Sequence, residues 1–286
     1  MDLLNHIPLV LGATADYVSF AKSLPSFEEP LALLTAFLLG LMRIAPIVSV
    51  VPFLGAKLPG AAKMGLVIAI VALFLPHILT MSKQNLTFDA TFIALAIKEL
   101  FMGILLGFLA TIPFYIATSS GVLVDFLRGS SALQVGDPTM QTQSSSIGVL
   151  YNQILIVFFF QVDGPFLFFD AILQSYTFVP IDKFLPASFF NLHLPFWKLI
   201  VELLTKVTAL SIQFAAPPIL AILMAEMFLG IANRLAAQVQ IAFLGMALKS
   251  IFGLGLLWAG WSFILQQMVK GALVWFHDLI KILSTF

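Results

Sequence analysis

ATFIALAIKELFMGILLGFLATIPFYIATSSGVLV (residues 90–124) carries only two charges, Lys98 and Glu99, and no polar break. A spanning helix needs about 20 apolar residues, so this stretch is longer than one ordinary crossing. A transmembrane barrel would show weak alternating segments of about ten residues instead. The unbroken run therefore predicts helix, and Pro113 within it predicts one long or broken helix.

The rest of the chain fits that reading. Of 286 residues, 60% are hydrophobic and only 10% charged, and the mean hydropathy is +1.05. A soluble domain carries about 25% charged residues. This chain cannot cover a water-facing surface, so it reads as an all-α, polytopic integral membrane protein. Formal net charge is zero, which gives no reason to expect nucleic acid. With no cysteine, a disulfide framework, a thiolate nucleophile and a cysteine metal site are all excluded. The N-terminal MDLLNHIPLVLGATADYVSF has an acid where a signal peptide has bases, and it reads as a mature amphipathic segment.

Outward from 90–124, apolar runs cover roughly 31–54, 64–80, 147–180 and 195–275. They predict six to eight long helices. Pro46, Pro52, Pro76, Pro113, the QVDGP stretch at 161–165 and Pro217–Pro218 predict breaks or kinks inside them. In a membrane the freed carbonyls must be satisfied by neighbouring helices or water, so these helices are expected to pack on protein.

Eight charges lie in or beside apolar runs: Arg43, Lys98, Glu99, Glu202, Lys206, Glu226, Arg234 and Lys249. Each costs about 2.5–3.5 kcal/mol at a bilayer centre on insertion scales. They are expected to form intersubunit or buried pairs or to line a polar conduit, against the plainer reading that they snorkel or pair quietly within the chain. Glu202 and Lys206, four apart in the favourable order, can pair on one helix face. Lysines and arginines are spread too thinly to set a topology by loop charge.

Catalytic chemistry finds no support. The histidines His6, His77, His193 and His277 are scattered without metal spacing, and nucleophile elbow, phosphate loop and zinc-protease signatures are missing. No enzyme, cofactor or metal is expected. Gly103 and Gly107 form a small-xxx-small pair suited to close helix packing. DFLRGSSALQVGDPTMQTQSSS (125–146) is too polar to cross lipid. Gly129 and Gly136 offer hinges, and Asp137–Pro138 favours a turn.

Four stretches together resemble one family. They are LMRIAPIVSVVPFLGAKLPGAAKMGL (41–66), KELFMGILLGF (98–108), GVLVDFLRGSSALQVGDP (121–138) and APPILAILMAEMFLGIANRLAAQVQIAFLGMALKS (216–250). Their order and spacing resemble the SctT/FliR/SpaR family, export-gate subunits of type III secretion systems and the bacterial flagellum, over about residues 31–270. Ala236–Ala237 stand where flagellar members usually have proline after the arginine, which favours an injectisome subunit.

The resemblance implies an SctR/FliP-like part (1–193) fused to an SctS/FliQ-like helical hairpin with a C-terminal tail (194–286). The hairpin would turn around ANRLAAQVQ (232–240). It also implies a protein-conducting channel for unfolded substrates in the bacterial inner membrane, partly raised toward the periplasm. One copy of this chain would join five SctR/FliP-type and four SctS/FliQ-type subunits. An SctU/FlhB-type switch protein and an SctV/FlhA-type export protein would be further partners. The loop 126–146 would plug the closed channel, with Asp125, Arg128, Gly129, Gly136, Asp137, Pro138 and Met140 as candidate gate residues. The competing reading is a secondary transporter of a small solute, because broken helices and buried charges suit a midplane site. An internal repeat with matching breaks would favour the transporter, and none is visible. An intramembrane hydrolase lacks a catalytic set.

Overall fold

The computed structural model describes residues 30–55, 58–82, 90–129, 145–185, 195–235 and 241–283. Among them are eight helices and no strand: α1 (Pro30–Val50), α2 (Gly60–Met81), α3 (Ala90–Leu127), α4 (Ser146–Gln161), α5 (Gly164–Phe178), α6 (Pro195–Leu235), α7 (Ile241–Ala259) and α8 (Trp261–Leu283). Four of them (α1, α2, α3 and α6) are individually long and apolar enough to cross a membrane. The number rises to six if the bent pairs α4–α5 and α7–α8 each make one span. The protein is an all-α polytopic membrane protein.

Most of the prolines expected to break or kink a helix lie inside one that continues past them. Pro46 lies inside α1, Pro76 inside α2, Pro113 inside α3, and Pro217 and Pro218 inside α6. A proline removes one ladder bond, and the bonds around it hold where neighbouring helices pack on the site. Of the expected breaks, only Pro52 and the QVDGP stretch coincide with helix ends. At the latter, Asp163 takes the left-handed conformation (φ 58°) that short polar side chains tolerate. A Cβ at Gly164 would overlap the Phe159 ring, so the turn needs glycine there. The chain also bends by 65° between α7 and α8, around Gly260. No proline marks that bend in the sequence.

The chain divides into two compact units. The first holds residues 1–111, 166–197 and 278–286. Its centre is α1, where Ala36, Leu39, Ile44, Ile47 and Val48 are buried completely, as is Val51 just beyond it. Gly40 lets α2 come close, since a Cβ there would lie 3.0 Å from the Val71 side chain. On another side, a Cβ at Gly103 of α3 would overlap the Arg43 carbonyl, and one at Gly107 would lie 3.2 Å from the Ile47 Cα. The glycine pair therefore sets α3 backbone to backbone on α1. Lipid supplies no hydrophobic drive between helices, so such close packing is the main source of their adhesion. Phe53 and Phe74 meet Phe168 and Phe169 of α5 edge-on, with centroids 5.1 and 5.9 Å apart.

The second unit holds residues 112–165 and 198–277. Here α3 and α4 run antiparallel: Gly121 touches Gly148 backbone to backbone, and Phe114 meets Phe159 at 5.5 Å. The far half of α6 and α7 are also antiparallel. Ile222 faces Gly253, Glu226 bonds Lys249, and Leu229 faces Gly245. The expected turn at 232–240 falls between these arms, with residues 236–240 outside the described residues. Helix α8 lays Trp261 near Tyr151 and Phe276 on Phe159, and Gly271 approaches Phe214.

Candidate functional site

Among the described residues, the largest fully buried side chain is an arginine. Arg43 leaves α1 at a level where α3 and the C-terminal end of α5 converge. Its Nε and Nη2 donate to both carboxylate oxygens of Glu99, at 2.5 and 2.8 Å. Nη1 donates to Ser175 Oγ at 3.0 Å, and Nη2 also reaches the Val179 carbonyl at 2.8 Å. The guanidinium lies 4.0 Å from the Tyr176 ring centroid. The planar fork thus satisfies a carboxylate, a hydroxyl, a carbonyl and an aromatic face at once, which lysine could not do.

Next along α3, Lys98 contributes a second cation. Its Nζ lies 2.5 Å from Glu99 Oε1. It also lies 2.8 Å from the Pro180 carbonyl, 3.0 Å from that of Lys183 and 3.4 Å from that of Ile181. The last carbonyls of a helix have no partners within it, and the dipole makes that end negative. Pro180 cannot continue the ladder. The two cations therefore close the end of α5 and the turn that follows. Asp182, buried in that turn, acts electrostatically on Lys98. With Asp182 the cluster holds two cations and two anions, so four buried charges balance within one unit. Sequence reading placed Arg43, Lys98 and Glu99 but missed Ser175, Tyr176 and Asp182. Of these only Asp182 carried a signal, as an acid beside proline where an apolar run stops.

A second constellation joins the facing ends of α3 and α4. Asp125 Oδ2 accepts from Ser145 Oγ at 2.5 Å and from the Ile147 amide at 2.9 Å. Ser145 in turn caps α4 by accepting from the Gly148 amide at 2.9 Å. Arg128 pairs with Asp125 Oδ1 at 2.6 Å. Gly129 closes the end of α3 with φ 86°, where glycine carries no steric penalty. Both borders of the expected plug loop are therefore tied to one carboxylate. Gly136, Asp137, Pro138 and Met140 lie outside the described residues.

The remaining candidates sit on α6 and α7. Glu226 and Lys249 form an ion pair in which the glutamate is 46% exposed. No acid is near Lys249 in sequence. The antiparallel arrangement brings Glu226 to it within the chain. Arg234 is exposed in the last turn of α6, where a cation suits the helix dipole. Glu202 and Lys206 are both exposed and, among the described residues, form no ion pair with each other. Around the Glu226–Lys249 pair, Met224, Met227, Phe228 and Ile251 are exposed.

These are the features of a polytopic membrane protein whose polar residues tie helices together. Among the described residues no group of acids and histidines could hold a metal. The chain belongs to the bacterial export proteins, family 1, whose model matches residues 34–272; this is the SctT/FliR/SpaR family. It is similar to the secretion system apparatus protein SsaT of Salmonella typhimurium, 31% identical over 163 residues, or 57% of this chain and 61% of that protein. It is also similar to the Yop proteins translocation protein T of Yersinia pestis, 32% identical over 161 residues, 54% of this chain and 57% of that protein. The flagellar biosynthetic protein FliR of Bacillus subtilis is 27% identical over 221 residues, 76% of this chain and 82% of that protein. The matched segment spans about three fifths of the length of the first two relatives.

Proposed function

We propose that this chain is a subunit of the export gate of a type III secretion system in the bacterial inner membrane. With SctR/FliP- and SctS/FliQ-type subunits it forms the protein-conducting channel for unfolded polypeptides, one copy per five and four of those partners. It works beside SctU/FlhB- and SctV/FlhA-type proteins. The observation that carries this reading is the family match across residues 34–272. The buried, internally neutral charge cluster suits it, because a gate subunit needs polar ties between helices and no catalytic group. In this reading residues 1–193 and 194–286 correspond to the two partner types, and the assembly is partly raised toward the periplasm. Ala236–Ala237 favours an injectisome over a flagellar system.

The reading assigns residues 126–146 as the plug of the closed conduit. Its described ends are held by Asp125. The segment has few apolar residues, so shortening it removes little burial at about 25 cal/mol per Å².

The test is co-purification. The tagged full chain, expressed with its SctR- and SctS-type neighbours and extracted in mild detergent, should bring both down in one complex. A chain that purifies alone as a stable, solute-transporting monomer would overturn the proposal. Within that complex, deleting Gly129–Ser131 should raise ion leakage across the inner membrane without substrate. An intact complex with no added leak would reduce the segment to a connector.

A further inference from the structure

We propose that the turn after α5, residues 180–183, is a receptor for a primary ammonium group, occupied in the native protein by the Lys98 side chain. The proposal rests on how the acceptors are shared. Glu99 already receives Arg43 on both of its oxygens, at 2.5 and 2.8 Å. Its Oε1 is shared with Lys98, whose Nζ lies 2.5 Å away. Lys98 is buried, and it also directs its Nζ at three backbone carbonyls of one turn: Pro180 at 2.8 Å, Lys183 at 3.0 Å and Ile181 at 3.4 Å.

An ammonium carries three donors and no acceptor. Pro180, Lys183 and the shared Glu99 oxygen match those three directions, and the Ile181 carbonyl closes the ring at longer range. Asp182, on the same turn, adds a smaller favourable charge beside that of Glu99. A guanidinium is planar and too wide for a ring of this kind, and an apolar side chain would leave the Pro180 carbonyl only its long bond from the Lys183 amide, at 3.4 Å, and would remove the ammonium from the other two. Each unsatisfied buried carbonyl carries a desolvation penalty of about 1–3 kcal/mol. Lys98 is thus a positioning residue. It fixes the path of the chain where α5 ends while also pairing with Glu99.

The chain contains no cysteine, which makes a clean test possible. Ile181, 1% exposed, is replaced by Ile181→Cys in the full chain, and maleimide labelling is followed in membrane vesicles. With Lys98 present, labelling should be slow. In the Lys98→Ala background it should rise roughly tenfold or more, as the turn opens locally. Adding n-propylammonium, the piece of side chain removed, should restore protection. Tetramethylammonium, with equal charge and no N–H donor, should not.

Failure of n-propylammonium to slow labelling would overturn the proposal, and so would protection by Lys98→Met equal to that of lysine. If Lys98→Ala does not accumulate, Lys98→Gln decides, since its amide keeps two N–H donors. It should label more slowly than Lys98→Met, and equal rates would overturn the proposal. None of these readouts depends on secretion, so they stand apart from the proposed function.

Discussion

Arg43→Met keeps the length and bulk of the side chain and removes its charge and donors. In the native protein that side chain is fully buried and makes four hydrogen bonds. Without it, Glu99 faces Lys98 alone and the Val179 carbonyl loses its side-chain donor. Ser175 keeps its own bond to the Ile172 carbonyl at 2.6 Å, so the serine is not stranded. Removing one partner of a buried ion pair costs about 3–5 kcal/mol. At roughly 2–4 °C per kcal/mol, the unfolding midpoint of the full chain in mild detergent should fall by about 6–20 °C. Glu99→Met should do comparable damage for the opposite reason, leaving two cations with Asp182 as their only buried acid. The double variant is the sharp case. Removing both Arg43 and Glu99 leaves Lys98 with its carbonyls and Asp182, a balanced set. The double loss should therefore be smaller than the combined single losses by about 1–3 kcal/mol. Strict additivity in thermal unfolding, or an Arg43→Met midpoint within a degree or two of the parent, would refute the claim that the cluster acts as a unit.

Gly103→Ala should destabilise by about 1–3 kcal/mol, because its Cβ would overlap the Arg43 carbonyl. Gly65→Ala, where nothing lies within 4 Å, should instead stabilise α2 by roughly 0.5–1 kcal/mol in the same thermal assay. Asp125→Leu removes the acceptor shared by Ser145 and Ile147. It should cost about 2–3 kcal/mol and speed hydrogen exchange at the amides of Ile147 and Gly148, and unchanged exchange would show that α4 needs no clasp. Lys249→Arg should retain its tie to Glu226. Lys249→Met should change the isolated chain by no more than about 1 kcal/mol, since the pair is partly exposed. A much larger loss in yield of the assembled complex would show that the pair becomes covered there, and equal yields would show that it stays open.

Apolar length alone marks the helices, because few residues in these runs could face water. Which prolines interrupt a helix is harder to read. Pro113 and Pro217–Pro218 lie inside continuous helices, and whether one lost bond breaks a helix depends on neighbours that a linear reading does not contain. Gly260 shows the converse, a 65° bend where the sequence offers only a glycine. For the charges, sequence reveals which side chains are too costly to leave in lipid, but it cannot name their partners. Arg43 and Glu99 are 56 residues apart, and no helical period connects them. The small residues carry the missing information. Glu99, Gly103 and Gly107 recur every four residues and so share one face of α3. Arg43 and Ile47 share one face of α1 at the same interval. The glycines allow contact at Arg43 and Ile47, and that contact carries Glu99, one turn before Gly103, to the guanidinium. The acid and the glycines are thus one device: the close approach creates the buried site, and the charges in it hold the approach in register. A substitution at either kind of position should weaken the other, although the sequence does not announce that the two act together.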